Sequence, residues 1–217
     1  TVLIGGPIGI ISLDQNLSVS GYAGRSQGLL GDFVSGIVYA GPVSRMVNDT
    51  ATGTTATIYH DAALFISHNG QGVTRPGASA WDLSTDTANG TYNIDMIPSN
   101  DVRAVEADQW GVHIATSSQP IVHWNGTSMI MEAGPGALDL QAWPIVDLAS
   151  DGNHLAAISS GKISILRSSG DHEVIKIGEL VGAISADADP WFGLAAIGEE
   201  GLHIYRPMET LNQIDRE

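Results

Sequence analysis

Gly24 to Gly28 reads "GRSQG", a Gly-x-Ser-x-Gly pattern. In a hydrolase such a turn joins a strand to a helix and lifts the serine into an oxyanion hole. The residues that follow, "LLGDFVSGIVYAG", are glycine-rich and β-branched rather than helical, so Ser26 is expected in a loop without a nucleophilic role. Seven histidines raise the question of metal chemistry. None is paired at the short spacing that local ligand pairs show. His113 and His123 fall on predicted neighbouring strands and could converge, but the sequence shows no third ligand beside them. "DADP" (Asp187 to Pro190) and "STDTANG" offer carboxylate oxygens, yet neither follows the calcium-loop pattern. No metal site and no cofactor are therefore expected.

Aspartate recurs at the ends of apolar runs. The stretches "TATIYHDAALFISH", "VRAVEADQWGVHIAT", "IVDLASDGNHLAAIS" and "GAISADADPWFGLAAIG" share Asp61, Asp108, Asp151 and Asp187, spaced 47, 43 and 36 residues apart. A carboxylate at the end of a strand can accept N–H groups of the following turn, as in Asx turns, and that structural role is expected here. Four Asn-x-Ser/Thr sequons begin at Asn16, Asn48, Asn89 and Asn125. All four are predicted in or beside loops, where glycans are accepted in secreted proteins.

The elements that position these residues form a repeat. Each aspartate lies between two apolar runs, and after each such pair of runs comes a third: "ASAWDLS", "PIVHWNG", "KISILRS" and "GLHIYRP". A fourth follows in three copies: "TYNIDMI", "SMIMEA" and "HEVIKIG". The runs are short, rich in Val and Ile, and bounded by Ser-Gly, Asp-Gly, Asn-Gly and Gly-Pro turns, so they read as strands. Four strands in roughly 40 residues is the period of a propeller blade, a sheet that buries its two faces only by stacking on its neighbours. The pattern resembles the divergent blades of WD-type and quinoprotein-like families, with Trp81-Asp82 where a WD dipeptide would fall. The resemblance implies an all-β propeller of four-stranded antiparallel blades. It would have about five blades or be a segment of a larger propeller.

The repeats are expected near residues 8–50, 54–98, 101–133, 144–178 and 180–207 of a domain covering 1–207, with residues 208–217 as a C-terminal tail. Two registers remain open at the start. In one, the strand from Thr1 to Gly5 completes the last blade and closes a five-bladed ring. In the other, "TVLIGGPIGIISLD" matches "LAAIGEEGLHIY" as second and third strands, and the chain begins in mid-blade. The resemblance also brings in five-bladed glycoside-processing families, whose carboxylates project into the central channel. Glu106, Asp14, Asp61 and Asp147 are the candidates for that position. The five tryptophans, Trp81, Trp110, Trp124, Trp143 and Trp191, read as packing anchors between blades.

Composition narrows the setting. With 43% apolar and 15% charged residues the chain can build a large core, which argues against disorder. Net charge is −15 and the only lysines are Lys162 and Lys176, so neither nucleic acid nor an anionic membrane surface is an expected partner. No apolar stretch reaches the roughly 18–20 residues of a membrane helix. The absence of cysteine excludes disulfides and thiolate metal sites. Thr1 is not preceded by Met or a signal sequence and reads as a processing boundary of a longer product. The expected function is that of a non-catalytic extracellular or cell-surface module that binds protein or glycan. The alternatives are a carbohydrate-active enzyme using channel carboxylates and an intracellular scaffold.

Overall fold

The computed structural model describes residues 1–49, 54–60, 62–75, 97–108, 111–118, 121–124, 129–133, 144–152, 154–159, 161–167, 174–179, 185–189 and 193–205. Among these residues are nineteen β-strands and one short 3₁₀ turn. Every strand pairing is antiparallel. The protein is therefore all-β, as the alternating and continuous apolar runs predict.

The first sheet is a meander of β1 (Val2–Gly6), β2 (Gly9–Leu13) and β3 (Val19–Ala23). A 3₁₀ turn at Arg25–Gln27 leads to β4 (Val34–Ala40) of the second sheet. The chain then leaves that sheet as a two-stranded ribbon, β5 (Val43–Asp49) with β6 (Thr54–His60), and returns as β7 (Ala63–His68) and β8 (Gly72–Thr74). The second sheet has the order β4-β7-β8. The third contains β9 (Val102–Asp108), β10 (Gly111–Thr116), β11 (Ile121–Trp124) and β12 (Met129–Ala133) in sequence order. The fourth repeats that plan with β13 (Ile145–Ser150), β14 (His154–Ser159), β15 (Lys162–Arg167) and β16 (Val174–Glu179). The fifth is β17 (Ser185–Asp189), β18 (Gly193–Gly198) and β19 (Gly201–Tyr205).

Four apolar layers join these five sheets in series. Ile10 of the first sheet packs with Val34 and Ile66 of the second. Phe65 and Val73 of the second pack with Val112, Ile114 and Trp124 of the third. Ala104, Ala115 and Ile121 of the third meet Ile145, Leu148 and Leu155 of the fourth. Ile158, Ile163 and Ile165 of the fourth meet Leu194, Ala196 and Tyr205 of the fifth. A middle sheet thus buries both faces, which is why "HLAAIS" shows no polar alternation. The first strands of successive sheets, β4, β9, β13 and β17, lie beside one another.

Two sequence expectations are corrected by the pairing. β1 pairs with β2 from Val2↔Leu13 to Gly6↔Gly9, so Thr1 to Gly5 is not a strand of the last sheet. The tight β1–β2 hairpin matches that of β18–β19, which supports the register in which the chain begins at a second strand. In the second repeat the strand beside β7 is β4, in register from Val34↔His68 to Ala40↔Ala63, and "TATIYH" belongs to the ribbon. That sheet begins near residue 34, not 54. Its expected outer strands at residues 78–84 and 91–97 lie almost wholly outside the described residues, as do Trp81-Asp82 and the tail at 208–217.

Candidate functional site

Asp108 is the last residue of β9 and is buried. Its Oδ1 accepts the N–H of Gly111 at 3.0 Å across the turn into β10. Gly111 is required there: it has φ +147°, and an added Cβ would stand 1.9 Å from the carbonyl oxygen of Trp124. Asp108 Oδ2 lies 2.7 Å from His113 Nε2. A carboxylate can only accept, so Nε2 carries the bridging proton. His113 stands opposite His123 in the β10–β11 register, and directly opposed side chains share a face. Their rings stack with centroids 4.5 Å apart and planes 7° apart. Both rings are fully buried. The face is that of Ala104, Ala115 and Ile121, so the cluster lies between the third and fourth sheets.

The fourth sheet repeats the turn chemistry. Asp151 follows β13 and accepts the N–H of His154 through Oδ1 at 2.7 Å, while Oδ2 lies 3.1 Å from His154 Nδ1. Asp108 and Asp151 thus each bind the N–H three residues on. Asp151→Ala is expected to cost about 1–2 kcal/mol, the usual loss for one partly buried hydrogen-bonded turn. Urea denaturation measures it; an unchanged midpoint would remove the carboxylate from any turn-closing role. Asp187 behaves differently. It lies mid-strand in β17, opposite Ala195, and its Oδ1 accepts only the adjacent Ala188 N–H among the described contacts. The residue that ends β17 is Asp189, opposite Gly193. Asp61 lies outside the described residues.

A second group of acids lies on the adjacent first strands. Glu106 of β9 is mostly buried, and its pKa is pushed up to about 7, first by desolvation and then by the nearby Asp187 and Asp147. The Ala107 N–H and His113 oppose that shift. Asp147 of β13 ties its strand to the next: Oδ2 accepts the Ser185 hydroxyl at 2.8 Å and the Ala186 N–H at 2.9 Å. Of the acids singled out for a channel, Glu106 and Asp147 are brought together. Asp14 instead closes the β2–β3 turn, accepting the N–H groups of Asn16 at 2.8 Å and Ser18 at 2.9 Å.

The remaining sequence candidates are separate. Ser26 sits in the 3₁₀ turn with its hydroxyl 2.8 Å from Gln27 Oε1, and no helix follows it. Asn16 is exposed in its turn. Asn48 is the penultimate residue of β5, beside the connection to β6. Asn89 and Asn125 lie outside the described residues. Trp124 packs against Phe65 of the second sheet with ring centroids 5.0 Å apart, and the Arg75 guanidinium lies 4.7 Å from its ring centroid. The other four tryptophans lie outside the described residues.

The fold and site define an all-β protein of serially stacked antiparallel sheets with buried acid–histidine chemistry in one layer. No family model and no curated protein matches the chain. Among solved structures, one described as a crystal structure of the eukaryotic initiation factor is similar at 10% identity and a TM-score of 0.45. The match covers 99% of this chain and 63% of that one, so this chain spans less than two thirds of its length. So distant a likeness carries no inference about fold or function. Among the described residues no helix is long and apolar enough to cross a membrane.

Proposed function

We propose that the chain is a propeller-type module, with blades of the WD-type or quinoprotein-like kind, that acts by non-covalent association outside the cell or at its surface. The blade reading is supported by the row of first strands, β4, β9, β13 and β17, and by the apolar layer between each pair of successive sheets. The exposed sequon at Asn16 suits an extracellular setting.

One observation carries the association. The outer face of the first sheet, opposite to Ile10 and Ala23, consists of Val2, Ile4, Ile11, Leu13, Val19 and Tyr22 by register. Ile4 is 49% exposed, Tyr22 51% and Val19 68%. At the other end the fifth sheet turns Ile197 and Leu202 outward as a directly opposed pair. Contiguous apolar sheet faces of this kind mark interaction surfaces. Their shape continues the sheet-on-sheet packing already present inside the stack, so the fitting occupant is another antiparallel sheet. In the purified chain that sheet is the opposite end of a second copy, a head-to-tail contact.

Sedimentation velocity tests this. The unaltered chain is expected to associate with rising concentration, and Ile4→Lys with Val19→Lys to hold it monomeric with unchanged circular dichroism. A chain that stays monomeric at every concentration, or association indifferent to both substitutions, would refute the reading. The placement of Glu106, Asp147 and Asp187 on first strands of successive sheets, near enough to act on one another electrostatically, favours a second reading, a carbohydrate-active channel. Hydrolysis of aryl glycosides by the chain, lost in Glu106→Gln, would separate it from the first.

A further inference from the structure

We infer that Asp108, His113 and His123 form a binding site for a divalent transition metal of the zinc class, set between the third and fourth sheets. Each residue offers one ligand atom, and those atoms all lie within 4.8 Å of one another. Zinc holds nitrogen and oxygen ligands at about 2.0–2.2 Å in a tetrahedron, which sets its ligand atoms roughly 3.3 Å apart. Closing the cluster to that size takes ring rotation and small backbone adjustment rather than refolding. His123 Nε2 lies over Gly111, 2.8 Å from where a Cβ would be, so the missing side chain leaves that nitrogen room beside the acid-bearing turn.

The sister sheets show that the fold does not need these histidines. In the register that aligns Asp108 with Asp151, His113 and His123 correspond to Ala156 and Ile165, which oppose each other in β14–β15. In the fifth sheet the corresponding pair is Ala195 and Ile204. A turn acid with its N–H partner is common to the third and fourth sheets, whereas the buried imidazole pair is peculiar to the third. The imidazole pair is therefore an addition to the common plan of the sheets, and it sets two nitrogen donors beside the turn acid.

The donor set selects the ion. Two imidazole nitrogens with one carboxylate suit zinc, nickel or cobalt rather than calcium or magnesium, which prefer all-oxygen sites. Ligation through His113 Nε2 needs its lone pair, so the proton that bridges to Asp108 Oδ2 shifts to His113 Nδ1, leaving a neutral imidazole and a carboxylate as donors. Asp108 supplies one negative charge toward the dication. The depth of the site makes it a structural centre, filled as the sheets come together.

The test refolds the full chain after chelation, with and without zinc, and in parallel with cobalt as a spectroscopic probe. The melting temperature is expected to rise by roughly 5–10 °C at zinc a hundredfold above its dissociation constant. One cobalt per chain should give visible d–d absorption bands. The double substitution His113→Ala with His123→Ile, which copies the fourth sheet, should fold and lose both signals. Should it not fold, Asp108→Asn keeps an oxygen for the Gly111 N–H and is expected to weaken metal binding at least tenfold. An unaltered chain with neither signal, a folded double variant that retains both, or Asp108→Asn binding as tightly as the parent would overturn the assignment.

Discussion

Ile158→Asp is expected to abolish cooperative folding or leave only a remnant of it. Ile158 is 0% exposed and lies in the layer joining the fourth and fifth sheets, among Ala149, Ala156, Ile163, Ile165, Leu194 and Ala196. The substitution removes about 1.5–3 kcal/mol of apolar burial. It also places a carboxylate among these apolar side chains, where desolvation adds several kcal/mol or forces protonation. Against a total stability of about 5–15 kcal/mol, the sum consumes most of the margin. Ile158→Val serves as the control and should cost only about 1 kcal/mol. Thermal melts followed by circular dichroism decide the matter. A melt of the aspartate variant within a few degrees of the parent would mean that this layer is not a core.

The second large effect is a pH dependence carried by Glu106. Its folded pKa, about 7, lies above the unfolded value of 4.5, because burial, with the nearby Asp187 and Asp147, outweighs the Ala107 N–H and His113. The folded state therefore holds this proton more tightly than the unfolded one. Its stabilising contribution is fully present below the unfolded pKa and is lost as pH rises through the folded pKa. Between these limits metal-free protein should lose on the order of 3 kcal/mol. Glu106→Gln keeps the shape without the charge, so it should flatten that slope and be more stable than the parent at pH 8. Urea titrations of metal-free protein at a series of pH values measure both quantities. A parent whose stability is level or rising from pH 5 to pH 8, with no gain from the glutamine, would show that Glu106 is not held in a desolvated site.

The middle of the molecule is legible in the sequence because its pairings are local. β9 to β12 and β13 to β16 follow one another through short turns, and each strand pairs with its chain neighbour. The exception at the second sheet defeats the same reasoning. β4 pairs with β7 across an intervening ribbon whose strands are as good strand formers as either. Nothing local in "FVSGIVYAG" or "TATIYH" distinguishes a sheet strand from a ribbon strand. In the last repeat the strand ends two residues beyond Asp187, for a related reason. Asp187 and Asp189 share one face in a period-two strand, so polarity alone cannot say which ends it. Asp189, paired with Gly193, is the final residue. In the site, the neighbouring placement of His113 and His123 follows from strand order alone. Asp108 as their companion does not, because it depends on a third strand and on a rotamer that turns one carboxylate oxygen to the turn and the other to an imidazole.

The ribbon has a further consequence for how such a chain can change over time. Ala40 and Ala63 face each other in the β4–β7 register, so residues 41–62 leave and rejoin the second sheet at a single point. A segment whose ends are already joined transmits no register to the strands on either side. It can lengthen, shorten or be exchanged while every hydrogen-bonded ladder of the stack stays in place. The second sheet therefore contains an insertion port, where new recognition surface can be acquired without the sheets that carry it being redesigned.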